Sequence, residues 1–365
     1  MPLRPRQSSR RGYNAVGAWA LLFTLAASGP VLAECRANRE TGAAERFVRH
    51  LAPDCSHEER VALAVPAADV IAALKGGKSL DLRGVIVTGD LLLDQLPAEP
   101  VSGIKVSPSG LSAVIRERGL TTVRIIRGAL SIRDSVITGT LATRLQDGLL
   151  IIDGPVDLSG TQFARMLDLS FTGFGGAVDL SGAVLLKEGF FVRSVFTRGA
   201  KFDLAALGGH ARFHRARFAG PASFVRTGFN GPAEFLEVTF EQDASFSRAY
   251  FKMGTGFSGS RFAGVLDFSE ALFEQEAYFS YAEFGRDAYF RRTTFRGRAD
   301  FGEARFGGLD DFSKVMFEQT PNFAGAKIPS VPQQPGGLQN AKFLYVIAAL
   351  LACFTVILIM FMRRG

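Results

Sequence analysis

From Phe213 to Phe323, phenylalanine recurs at alternating steps of five and six residues without a miss. The run comprises Phe213, Phe218, Phe224, Phe229, Phe235, Phe240, Phe246, Phe251, Phe257, Phe262, Phe268, Phe273, Phe279, Phe284, Phe290, Phe295, Phe301, Phe306, Phe312, Phe317 and Phe323. Extended backward, the frame meets Leu207, Phe202, Phe196, Phe191, Leu185, Leu180, Phe174, Leu169, Phe163 and Leu158. Its 31 positions thus hold 26 Phe and 5 Leu, leaving only seven of the chain's 33 Phe elsewhere. A helix needs apolar residues three and four apart, and a strand needs them two apart. Neither period fits. A solenoid of short strands and corners does, with one large side chain turned inward on each face. The residue two before each of the 21 Phe is Ala in 12 cases, so a second inward slot accepts little more than a methyl.

If the coil has four faces, two five-plus-six units make a turn of 22 residues. Residues 22 apart then stack on neighbouring coils about 4.8 Å apart, where opposite charges attract and like charges repel. Between 157 and 318, charged pairs at that separation are opposite in 11 cases and alike in 5, whereas at a separation of 11 the counts are 6 and 7. The opposite pairs include Arg212/Glu234, Arg215/Glu237, Arg248/Glu270, Glu270/Arg292, Glu274/Arg296, Glu276/Arg298 and Arg261/Glu283. The charges therefore select 22 as the physical repeat.

Units such as Leu266-Asp267-Phe268-Ser269-Glu270-Ala271 and Ala299-Asp300-Phe301-Gly302-Glu303-Ala304 resemble the pentapeptide-repeat family, with one residue added in every second unit. The resemblance covers roughly 80 to 325. It implies an all-β, right-handed quadrilateral β-helix, with the Phe and the small residue pointing inward. Some members of that family imitate duplex DNA and bind topoisomerases, a role that needs a cytoplasmic location and an acidic surface.

Before 158 the pattern loosens. Leu80 to Leu91 reads like Leu130 to Leu141, two irregular coils with aliphatic interiors, separated by a Pro-rich excursion through Pro97, Pro100 and Pro108. A solenoid needs its open end covered. Ser56 and Glu59 form a capping-box pattern, Val70, Ile71 and Leu74 give an apolar stripe, and Gly76-Gly77 is a stop, which together predict a capping helix over 56–75. The resulting organisation is a signal peptide (1–33), an N-terminal cap (34–79), irregular coils (80–157), the regular Phe ladder (158–325), a Pro/Gly linker (326–342) and a transmembrane helix (343–362).

The terminal segments carry the expected location. Arg4, Arg6, Arg10 and Arg11 precede an apolar run from Ala15 to Ala27, and Val31 and Ala33 supply small residues for a cleavage site. An uncleaved signal anchor is the alternative. Phe343 to Met362 is an uncharged run of 20 residues before Arg363-Arg364, long enough to span a bilayer with a cytoplasmic C-terminus. The β-helix is then expected in the periplasm. The net charge of +7 belongs largely to the targeting ends, because 157 to 318 holds 19 Lys or Arg against 20 Asp or Glu. Nucleic acid is therefore not an expected partner.

Candidate chemistry is sparse. Cys35 and Cys55 are expected to pair in an oxidising compartment, or, with His50 and His57, to bind zinc in a less favoured arrangement. Asp157, Asp168, Asp179, Asp267 and Asp300 share one frame, read as surface turns in preference to catalytic or calcium-binding carboxylates. His210 and His214 fall near Arg212 and Arg215. No catalytic, cofactor or metal motif emerges. The chain reads as a non-enzymatic scaffold or interaction module tethered to the membrane, with an unknown periplasmic protein partner. A DNA-mimic role and an envelope polysaccharide-binding or -processing role are the alternatives. Ala348 and Ala352 offer a weak small-xxx-small contact for a homodimer.

Overall fold

A computed structural model describes residues 35, 37–38, 45–103 and 109–328. The expected signal peptide (1–33), the transmembrane segment (343–362) and most of the linker lie outside the described residues. Among the described residues, no helix is long and apolar enough to cross a membrane.

The chain winds into an all-β solenoid of about eleven coils, of the right-handed type. Each full coil contributes one short strand to each of four sheets, called faces I to IV in chain order. Parallel register joins Val156 to Val178, Phe163 to Leu185, Leu167 to Gly189 and Phe174 to Phe196. Every one of these offsets is 22 residues, the period that the charge pairs select.

The alternation of five and six has a local cause. Positive φ recurs every eleven residues from Gly160 to Gly325 without a gap, and most of the positions carry large side chains, such as Arg226 at 56° and Arg248 at 58°. These residues are third in tight turns closed by backbone bonds, such as Thr227 N–H to Phe224 O at 3.2 Å and Ala249 N–H to Phe246 O at 3.0 Å. A left-handed third residue is what a type II turn requires. The five-residue links contain this turn, leading from face I to II and from III to IV. The six-residue links carry the extra residue and turn the other two corners.

Inside, the rings stack coil upon coil. Phe224 and Phe246 lie 4.7 Å apart between centroids and 1° from parallel, while rings from faces I and III meet edge to face, as in Phe235 and Phe246 at 5.3 Å and 88°. Both arrangements suit the ring quadrupole. Ladder Phe from Phe163 to Phe301 are fully buried. Burying one such side chain is worth roughly 1.5–3 kcal/mol, which makes the ladder the principal source of stability. The buried polar side chains among the described residues are ten Ser or Thr hydroxyls, each hydrogen-bonded to backbone. No titratable side chain is buried among them.

The early coils continue the columns with aliphatic residues. Leu82 stands over Ile132, and Val87 over Ile137 and Phe163, so the two look-alike stretches around Leu80 and Leu130 are register partners. The helix expected over 56–75 is instead two helices, α1 (His57–Ala62) and α2 (Ala67–Lys75). Val65 and Pro66 leave the helix to pair with Val87 and Thr88 on face II. Ser56 and Glu59 exchange both bonds of the capping box, and Val70, Ile71 and Leu74 are buried in the core. The Pro-rich excursion between faces III and IV contains an unforeseen helix, α3 (Ser109–Glu117). It lies on the outside of face IV, where Leu111, Val114 and Ile115 pack with Ile151 and Val195 in a second, smaller core.

Candidate functional site

The outward residues are the candidates for function, because the interior is filled. On the strands they are held in columns 22 residues apart, and the charges use this register. Eight of the eleven opposite pairs lie within ion-pair distance, including Arg212–Glu234 at 2.9 Å, Arg215–Glu237 at 2.8 Å, Arg261–Glu283 at 3.1 Å and Arg292–Glu270 at 3.7 Å. Glu276 and Arg298 do not meet in this way. Arg298 instead approaches Asp300 at 4.0 Å. A hydrogen bond from Arg248 holds the Glu270 carboxyl below its ordinary pKa, and Arg215 does the same for Glu237. Exposed pairs of this kind are screened by solvent and add little to stability, so their role is register.

The recurring aspartates are divided by the coil. Asp157, Asp179 and Asp267 stand on face I, whereas Asp168 and Asp300 stand on face III. Each Oδ1 accepts the backbone N–H two residues on, as from Ser159 at 3.1 Å, Ser170 at 2.9 Å, Ser181 at 2.8 Å, Ser269 at 2.8 Å and Gly302 at 2.8 Å. This local bond is an Asx turn. It spends the carboxylate on the strand-to-corner transition.

The Sγ atoms of Cys35 and Cys55 are 2.13 Å apart, bonded across a Cα separation of 4.8 Å. The bond lies beside β1 (Ala37–Asn38), which pairs antiparallel with β2 (Arg46–Leu51), the first parallel strand of face I. His50 does not join the cysteines. Its Nε2 lies 2.8 Å from Asp81 Oδ1, and Asp81 also pairs with Arg46 and, at 3.6 Å, with Arg133. Burial pushes the Asp81 carboxyl up, but the bond and charge of His50, with Arg46 and Arg133, outweigh it and hold the group below its ordinary value. Among the described residues, no group of three or more His, Cys, Asp and Glu is arranged to hold a metal ion.

On face III, His210 Nε2 lies 3.0 Å from Glu234 Oε1, while Arg212 bonds the other oxygen of Glu234 and lies 5.5 Å over the Phe190 ring. His214 acts on Glu237 only through its charge. Face I carries a shallow groove of about 450 Å³ along Ala177, Gly199, Pro221 and Val265, with Asp179 and Lys201 at its side. Neither arrangement joins a nucleophile to a base. The groove follows the column Ala177, Gly199, Pro221, Asp243 and Val265, each one residue before a strand of face I; these residues share a 22-residue spacing but no residue type, so they form no motif in the sequence.

Three overlapping stretches, 224–272, 268–316 and 279–327, match the family model described as pentapeptide repeats (9 copies). No curated protein and no solved structure matches the chain. The coil register of the matched stretches continues backward through residue 156. Residues 224–327 are thus a run of pentapeptide repeats, wound into the C-terminal part of an all-β solenoid.

Proposed function

We propose that this protein is a non-enzymatic scaffold, exported and held at the periplasmic face of the cytoplasmic membrane by residues 343–362, whose outward faces dock a protein partner. The observation that carries the scaffold reading is the sorting of side chains. Among the described residues every titratable group is outside the buried core, and the core is Phe, aliphatic residues and satisfied hydroxyls. Catalysis generally relies on positioned groups with perturbed acidity in a sheltered site. Rows of residues held 22 apart on flat sheets suit docking instead. The bonded Cys35 and Cys55 support an oxidising compartment. The uncharged run from Phe343 to Met362, ahead of Arg363 and Arg364, supports a span with its C-terminus inside.

Topology is tested with paired reporters fused after Gly365, one active only in the cytoplasm and one only in the periplasm. The cytoplasmic reporter is expected to be active, and maleimide labelling of Cys35 and Cys55 in intact cells is expected only after reduction. A periplasmic signal from Gly365 sinks the proposed topology.

A further inference from the structure

The Phe ladder is sealed along its length but open where it stops. Phe301 and the rings before it are buried, whereas Phe312, Phe317 and Phe323 are only half-buried. Each of these three stacks on the ring one coil back, at 4.8, 5.2 and 4.9 Å between centroids. Among the described residues nothing stacks on their other side. Ile328 takes the next position of the five-six frame, following Lys327, whose carbonyl accepts the Phe306 N–H at 2.9 Å. The end of the solenoid is therefore an apolar plate of four columns. Leu309, at the corner before the last strand of face I, and Met316, on the last strand of face II, add apolar surface at this end, 51% and 57% exposed.

The charges behind the plate are paired: Arg291, Arg292, Arg296 and Arg305 of the penultimate coil meet Asp311, Glu270, Glu274 and Glu283 on the neighbouring coils, so the apolar rings are the distinctive feature of this end. The chain leaves the solenoid at this same end. Fourteen residues, 329–342, separate Ile328 from Phe343, a reach of no more than about 50 Å even when fully extended. They include three prolines, two glycines and four Asn or Gln, with Val331 and Leu338 as their only large apolar side chains.

We infer that the C-terminal plate docks on a bilayer surface, with Phe312, Phe317, Phe323, Leu309 and Met316 entering the interfacial layer. Exposed Phe and Leu side chains bury at the boundary between headgroups and acyl chains, and the 14-residue link to the proposed span keeps this end of the solenoid within reach of it. The wet headgroup layer also supplies partners for the strand edges that end at the plate. The inference rests on the proposed span of 343–362, so the experiment separates the two.

The full-length chain is placed in nanodiscs containing phosphatidylglycerol, with a fluorescent amino acid at Met316 or, at the opposite end, at Val61, both exposed positions. Quenching by lipid with a shallow nitroxide is expected to be several-fold stronger at 316 than at 61, and to fall toward the level at 61 on Leu309→Asp. Equal quenching at both sites in a chain that has entered the disc overturns the docking and leaves the span standing. Energy transfer between 316 probes on two chains, marking end-to-end pairing of copies, also overturns it. A chain that fails to enter the disc, yet shows selective quenching at 316 on phosphatidylglycerol vesicles, loses the span and keeps the docking. Absence of both overturns both.

Discussion

Leu204 stands at φ 60° with its side chain 62% exposed, in a corner column where Gly160 and Gly182 precede it. An L-residue in the left-handed region costs roughly 1–2 kcal/mol, whereas glycine costs about 0.5–1 kcal/mol through the entropy it loses on folding. The difference favours glycine. Leu204→Gly is expected to stabilise the protein by up to about 1 kcal/mol, read as an upward shift of the urea midpoint. The neighbouring corner, from face IV to I, shows the opposite dependence. Its column runs Gly176, Arg198, Gly220, Gln242, Gly264, Arg286, Gly308, glycine alternating with a long side chain. A Cβ at Gly220, Gly264 or Gly308 would come within 2.1 to 2.5 Å of the backbone of the residue one coil back. Gly220→Ala must therefore push two backbones apart, with an expected loss of about 1–3 kcal/mol. A midpoint unchanged by Gly220→Ala would show that the corner yields freely.

Among the elements, α3 was the least legible in the sequence, and the reason is physical. Three prolines around it signal a loop, yet Leu111, Val114 and Ile115 follow the i, i+3, i+4 spacing of a helix with one apolar side. The partner surface was hidden because it is a sheet exterior. Gly173 on face IV lies under Leu111, and a Cβ there would meet Leu111 Cδ2 at 2.6 Å. The break between α1 and α2 escaped for a related reason. Val65 extends an apolar pattern that runs along one helix, while its backbone belongs to the β ladder of face II. By contrast, the coils after 158 were legible down to register, because each Phe reports one strand and one corner. Leu111→Ala is expected to weaken docking of α3 by about 2–5 kcal/mol. Trypsin should then cleave faster at Arg116 and Arg118, while the ladder keeps its far-UV signal. Unchanged cleavage would mean that the prolines and the strand at Ala98–Pro100, not the small core, hold the excursion in place.

Across the whole molecule, stability should depend on position along the axis, since each coil touches only its neighbours and the stability of a solenoid is close to a sum over coils and the interfaces between them. Phe246 lies mid-ladder, stacked on Phe224 at 4.7 Å and Phe268 at 4.8 Å, with Phe235 and Phe257 edge-on. Phe317 stacks on Phe295 alone, at 5.2 Å, and meets Phe323 edge-on. Truncating a buried Phe costs about 3–5 kcal/mol when packing surrounds it, and less where one ring face lacks partners. In the full-length protein, Phe246→Ala is expected to lower the denaturation midpoint about twice as far as Phe317→Ala. A mid-ladder loss also breaks the chain of interfaces, so the Phe246→Ala transition should broaden or split as the two flanking arrays uncouple, whereas that of Phe317→Ala should stay single. Equal shifts with equally sharp transitions would mean that the coils act as one indivisible core, and that nearest-neighbour stacking does not govern how this ladder holds together.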